Sequence, residues 1–244
     1  MTLHCFSQKE QSLEALAGKI CSMSRAALEK RAFFSLVLAG GSTPEDLYAL
    51  LASEDWHQRI QWDRTHIFFG DERCVPPEDR ASNYRMVQRS LLAKLPLPGE
   101  HIHRIQGEAD PDVEANRYEQ LVQRTLAAIS PHEPLFDCVL LGLGSDGHTA
   151  SLFPGDDALQ STGLVTAVAA PFAMTPKVPR ISLTLRGILL SRHLCFLVNG
   201  EEKKDIVQAV LADRSGRYPA GLVQQKNPQW FLSEMDCSGF LQDG

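Results

Sequence analysis

The sequence predicts an α/β fold, one mainly parallel sheet with helices on both faces. Short runs of apolar, strand-forming residues alternate with stretches of helical periodicity, several runs end at glycines, and the gaps between runs can hold crossover helices. At 244 residues, 43% hydrophobic and 22% charged, the chain buries a large core without staples, and dominant disorder is excluded. Twenty-four Lys and Arg against thirty Asp and Glu leave a net charge of −6. With no basic run there is no footprint for nucleic acid or an anionic membrane, so any anionic ligand has to be held locally.

From Gln8 to Lys30, Leu13, Leu16, Ala17, Ile20, Met23, Ala27 and Leu28 recur at helical spacing and predict a long amphipathic helix. Phe33 to Ala39 is a continuous apolar run stopped by Gly40-Gly41, the pattern of a strand buried on both faces. A helix follows at once, with Ser42 or Thr43 as cap, Pro44 at the first helical position and Glu45 and Asp46 in the first turn. Ile67-Phe68-Phe69 gives the next strand. Gly70 to Arg73 opens a loop that runs through Pro76-Pro77, and a helix is expected from Asn83 to about Leu95. Pro111 to Ile129 reads as a further helix and Phe136 to Leu141 as a strand. Leu164–Ala169, Ile181–Leu185 and Leu194–Val198 are expected strands, Glu202–Leu211 a helix and Trp230–Leu232 a last short strand.

No internal repeat, low-complexity tract or long Pro/Gly/Ser linker divides the chain, so residues 1–244 are read as a single domain. The start lacks a basic, apolar leader and no apolar segment approaches about 18 residues, which makes a cytoplasmic location the expectation. Six cysteines without CxxC or zinc spacing are expected as reduced thiols, with Cys138 and Cys195 as small core residues.

In parallel sheets ligands collect beyond the carboxyl ends of the strands, here the loops after Ala39, Phe69 and Leu141. Gly40-Gly41-Ser42-Thr43-Pro44 joins a buried strand to a helix start, where unpaired N–H groups and the positive helix end suit a phosphate. Paired glycines let the backbone come close to the anion. The GxxxxGK[ST] spacing of a nucleotide loop is missing. The third loop, Gly142-Leu143-Gly144-Ser145-Asp146-Gly147, matches GxGxxG, but no acidic residue ends the next strand, where Pro171 follows, and Asp156 and Asp157 come too early. Leu143 stands where a serine-hydrolase elbow needs Gly. What remains is Asp146 and His148, two residues apart on a glycine-flexed turn: a carboxylate that can fix the tautomer of an imidazole able to take a proton from water. His101-Ile102-His103, an alternating pair in a Pro-flanked stretch, is expected at the surface rather than on zinc.

These blocks resemble the 6-phosphogluconolactonases of the glucosamine-6-phosphate isomerase/deaminase superfamily. The resemblance rests on Leu38–Pro44, Phe69–Pro76 with Ser82-Asn83-Tyr84, Gly142–Pro154 and, more weakly, Pro179–Thr184. It implies a Rossmann-like fold without a dinucleotide, no cofactor and no metal, and hydrolysis of a sugar-phosphate lactone in the oxidative pentose phosphate pathway. By motif, His148 would activate water with Asp146 in support. Gly41, Ser42 and Thr43 would hold the phosphate with Arg180 and Lys203, with Arg73 and Lys177 as further cationic contacts and Asp71 and Asn83 shaping the site. Phe153 stands where deaminases carry a Glu that assists the His, and Asp71-Glu72-Arg73 replaces their Asp-Glu-Tyr, both on the lactonase side. Rival readings are a sugar-phosphate isomerase or deaminase, and a non-catalytic sugar-phosphate sensor, which would need a separate DNA-binding partner.

Overall fold

A computed structural model describes residues 1–126, 135–171 and 175–240. Its larger sheet has seven strands: β1 (Thr2–Phe6), β2 (Phe34–Leu38), β3 (Thr65–Phe69), β5 (Ile102–His103), β6 (Phe136–Leu141), β9 (Ser191–Asn199) and β10 (Gln229–Ser233). They lie in the order β1-β10-β9-β6-β2-β3-β5, and every pairing is parallel. This is a Rossmann-like α/β sheet. From β2 the chain steps outward through β3 to β5, then returns to β6 on the other side of β2 and continues to β9 and β10. Because β2 and β6 are adjacent, their loops leave in opposite directions and open a crevice between their carboxyl ends.

The apolar runs become strands because β2 and β6 are buried at every position, which only a sheet covered on both faces permits. Helix α1 (Lys9–Leu28) buries Leu13, Leu16, Ala17, Ile20 and Met23, the stripe its spacing predicts. Around the sheet also lie α2 (Ser42–Leu51), α3 (Asn83–Ser90), α4 (Pro111–Leu126), the short α5 (Leu185–Leu189), α6 (Lys204–Ala212) and α7 (Pro219–Leu222). Among the described residues no helix is long and apolar enough to cross a membrane.

A second sheet is antiparallel, in the order β4 (Asp71–Arg73), β8 (Arg180–Leu183), β7 (Val165–Val168). It corrects the sequence reading in two places. Gly70 to Arg73 is not simply a loop: Asp71-Glu72-Arg73 pairs with Arg180-Ile181-Ser182, and three charged residues give no local strand signal. The strands anticipated after Leu164 and around Ile181 exist but belong to this sheet, and Leu185 opens α5, where the Thr184 hydroxyl accepts from the Gly187 N–H at 3.0 Å. Buried residues of both sheets form one contiguous core.

Smaller corrections follow local chemistry. Gly41, with φ of 108°, is the residue before α2, so Ser42 and Thr43 are its first helical residues and Pro44 its third, where no N–H partner is required. Helix α3 ends at Ser90, ahead of a separate 3₁₀ turn at Leu92–Lys94, and the helix placed over residues 111–129 is described as far as Leu126, its remainder lying outside the described residues. His101-Ile102-His103 is not a surface stretch: Ile102 and His103 form the edge strand β5, and His103 is only 7% exposed. Strand β1 went unseen in the sequence because a partly exposed edge strand of mixed polarity carries little pattern.

Candidate active site

A cavity of about 250 Å³ occupies the crevice beyond β2 and β6. Gly40, Gly41, Ser42 and Thr43 form one wall, and Asp71, Arg73 and Arg180 another. His148 and Lys203 complete the ring of anticipated residues, joined by Asn199 at the end of β9. Asp146 and Asn83 stand behind this lining, each hydrogen-bonded to a residue within it. Lys177 is not among the lining residues.

At the first wall, Tyr48 of α2 pins the end of β2, its hydroxyl accepting from the Ala39 N–H at 2.9 Å and donating to the Ala39 carbonyl at 2.8 Å. Gly40 has to lack a side chain because a Cβ there would overlap the Asn83 amide. Helix α2 therefore starts directly on the cavity, with the positive end of its dipole and its first-turn N–H groups bordering it.

The second wall is the small sheet. Arg180 is 3% exposed, and its Nε and one terminal nitrogen are buried without a partner; the Nε of Arg73 is likewise unpartnered. Burial, reinforced by the charge of Arg73, lowers the pKa of Arg180, with Asp71 acting in the opposite sense. Asp71 is fixed by the Ser151 hydroxyl at 2.6 Å and by the Asn83 amide at 3.2 Å. Between Asp71 and Arg73, Glu72 points away from the cavity and is 2% exposed. Its carboxylate accepts from the N–H groups of Arg73, Asn83 and Tyr84 and from the Ser82 hydroxyl, at 2.7 to 3.0 Å. Burial raises the Glu72 pKa, and these four donors work against that rise. The carboxylate thus caps α3 and ties Asn83 to the strand that carries Arg73.

The third wall is the turn after β6. His148 Nδ1 lies 2.5 Å from Asp146 Oδ1, which also accepts the His148 N–H at 3.1 Å. The turn is closed by the Gly144 N–H donating to the His148 carbonyl (2.9 Å) and the Gly147 N–H to the Gly144 carbonyl (3.0 Å). A Cβ at Gly144 would overlap the His148 ring. Burial pushes the Asp146 carboxyl up, but the hydrogen bond and charge of His148 outweigh it and the net pKa is lowered. Asp146 is thus held as an anion beside the imidazole. Phe153 packs 4.8 Å from the His148 ring and 5.7 Å from the Arg180 guanidinium. Lys203 donates to the Leu143 carbonyl at 2.9 Å, which brings its ammonium to the edge of the turn.

Sequence reasoning missed Ser151, Asn199, the capping role of Glu72 and the segment around Tyr218. A strand running into Asn199-Gly200 was a usable signal, since it marks another strand end on the ligand side. The others depend on contacts between distant parts of the chain. Among the described residues no group of three or more His, Cys, Asp or Glu is arranged to hold a metal ion.

Fold and cleft together define a protein of the Rossmann-like α/β class, with its site at the strand-order switch point. Comparison with known proteins then gives the family. The family model described as glucosamine-6-phosphate isomerases/6-phosphogluconolactonase matches residues 7–232, and the chain belongs to this family. A 6-phosphogluconolactonase of Haemophilus influenzae is 38% identical over 201 residues, 81% of this chain and 83% of that protein. A probable 6-phosphogluconolactonase of Schizosaccharomyces pombe is 34% identical over 96% of this chain and 94% of its own length. The structure of a 6-phosphogluconolactonase from Trypanosoma cruzi matches with a TM-score of 0.83 at 30% identity, covering 96% of this chain and 94% of that one. Within the family the chain sits with the hydrolases.

Proposed function

We propose that this chain hydrolyses 6-phospho-D-glucono-1,5-lactone to 6-phospho-D-gluconate, the lactonase step of the oxidative pentose phosphate pathway. The observation that carries the reading is the pairing, around one cavity, of a carboxylate-held imidazole with two guanidiniums that keep buried, unpartnered nitrogens near a helix start. The phosphate lies against Gly41, Ser42 and Thr43, where the α2 dipole, Arg180, Arg73 and Lys203 supply positive charge. Its binding energy holds the ring in place, so C1 faces His148.

With Nδ1 bonded to Asp146, His148 keeps Nε2 as its basic nitrogen. A water gives its proton to Nε2 while its oxygen bonds to C1, and the carbonyl electrons move to the oxygen. Collapse of that oxyanion breaks the C1–O5 bond, and the imidazolium returns the proton to O5. Asp146 steadies the transient imidazolium throughout. A δ-lactone is an activated ester, so no covalent nucleophile is required.

The rival isomerase or deaminase reading needs a second carboxylate beside the histidine, and Phe153 occupies that place with its ring against the imidazole. The deciding assay couples freshly generated lactone to detection of 6-phosphogluconate, corrected for spontaneous hydrolysis. His148→Ala is expected to lose about 10² to 10⁴ of the rate while still binding 6-phosphogluconate. Wild-type turnover in that variant overturns the base assignment, and ammonia release from glucosamine 6-phosphate favours the rival.

A further inference from the structure

The geometry points to Tyr218 as a positioning residue for the Asp146–His148 pair, a role that rests on the reading of His148 as the base. Gly147 is the one residue between the two, and its φ of 83° lies where glycine is favoured. Its α-carbon sits against the Tyr218 ring so closely that a Cβ would run into Cδ1 and come within 2.9 Å of Cγ. One turn of chain further on, the Ala220 N–H donates to the Gly147 carbonyl at 3.1 Å. Ring and hydrogen bond together back the peptide that sets the spacing of carboxylate and imidazole.

The backing is itself anchored. Asp213 accepts the Tyr218 N–H at 2.9 Å and, through its other oxygen, the Ser215 N–H at 2.8 Å and hydroxyl at 2.7 Å. These donors hold the Asp213 pKa down at about 2, so the clamp stays charged at any pH where the enzyme works. On the other side the Tyr218 carbonyl accepts from Gly221 and Leu222 as α7 begins. Such support matters because the Asp146 side chain is 45% exposed and so is not held by burial alone. Tyr218 does not line the cavity, so it acts on the reaction only through the turn.

The test is steady-state kinetics on the full chain together with 6-phosphogluconate binding by calorimetry. Tyr218→Ala is expected to lower kcat by about ten- to a hundredfold, since a displaced general base loses its alignment. KM and product affinity are expected to stay within about twofold, because the phosphate wall is built by other elements. Tyr218→Phe is expected to behave as wild type, because the contact is made by the ring. Should the Ala variant fail to fold, Tyr218→Leu, which keeps bulk without the flat face, is expected to show the same selective fall in kcat. Unchanged kcat in both truncations, equal losses in kcat and product affinity, or a Phe variant as impaired as Ala would each overturn the proposal. His148→Ala measured alongside separates the two ideas: an active His148→Ala sinks the base reading, whereas an inactive one beside a fully active Tyr218→Ala sinks this inference alone.

Discussion

Arg73 and Arg180 stand directly opposite each other on the antiparallel pair β4–β8, two like charges on one face of a three-stranded sheet. Opposed like charges destabilise a ladder, and Arg73 also keeps one buried nitrogen, and Arg180 two, without a partner. In the proposed function, a bound anion would offset that cost at the cavity wall.

Arg180→Leu is therefore expected to weaken binding of 6-phosphogluconate by about 10- to 100-fold, the worth of one charged hydrogen bond at roughly 1.5–3 kcal/mol. Unphosphorylated gluconate should be nearly unaffected, and the thermal midpoint of the ligand-free protein should hold or rise as the repulsion goes. Calorimetric titration with both ligands, plus a melting curve, checks all three. Equal losses for the two ligands would take Arg180 out of the phosphate site.

Two glycines separate the binding wall from the chemical one. Gly40→Ala drives a methyl into Asn83 and through it disturbs Asp71, so KM should rise with a stability loss of about 1–3 kcal/mol. Adding Asn83→Ala makes room and should recover part of both losses, a coupling that a double-mutant cycle reads directly. Gly144→Ala instead collides with the His148 ring, and its expected signature is a fall in kcat with product affinity preserved.

Far from the cleft, three imidazoles gather at the sheet edge: His66 Nδ1 is 2.9 Å from His103 Nε2, and the His101 ring stacks on His66 at 4.1 Å. Burial first, then the neighbouring histidines, pull the pKa of both His66 and His103 down to about 4. The unfolded chain binds those protons nearer 6.5, so folding favours the neutral rings; stability is complete above about pH 6.5 and falls as pH drops toward 4. Allowing for solvent screening at the partly exposed His66 and for the coupling of two hydrogen-bonded rings, the loss is on the order of 2 kcal/mol, about 4–8 °C in Tm. Melting curves across this range should show the slope, and NMR should find the two rings titrating near 4. Titration near 6.5 would contradict the burial account.

Much of the fold was legible because its signals are local. Phe34 to Leu38 followed by Gly40-Gly41 announces a buried strand and a turn within eight residues. The α1 stripe, the strand ahead of Gly142 and the acid–imidazole spacing of Asp146 and His148 are equally short-range. Glu72 shows the opposite case. It reads as a surface charge between two others, and only the approach of α3 reveals a buried carboxylate with four donors.

From the chain alone came the strand–turn–helix that turns at Gly40-Gly41, the imidazole turn and the family resemblance, since periodicity, glycine conformation and motif spacing depend on residues within a few positions of one another. The pairing of β4 with β8, which sets Arg73 against Arg180, and the seat of Gly147 on the Tyr218 ring were decided by tertiary structure. Neither has a local signal, because each depends on which surfaces are buried together when the separate strands and helices close around one core.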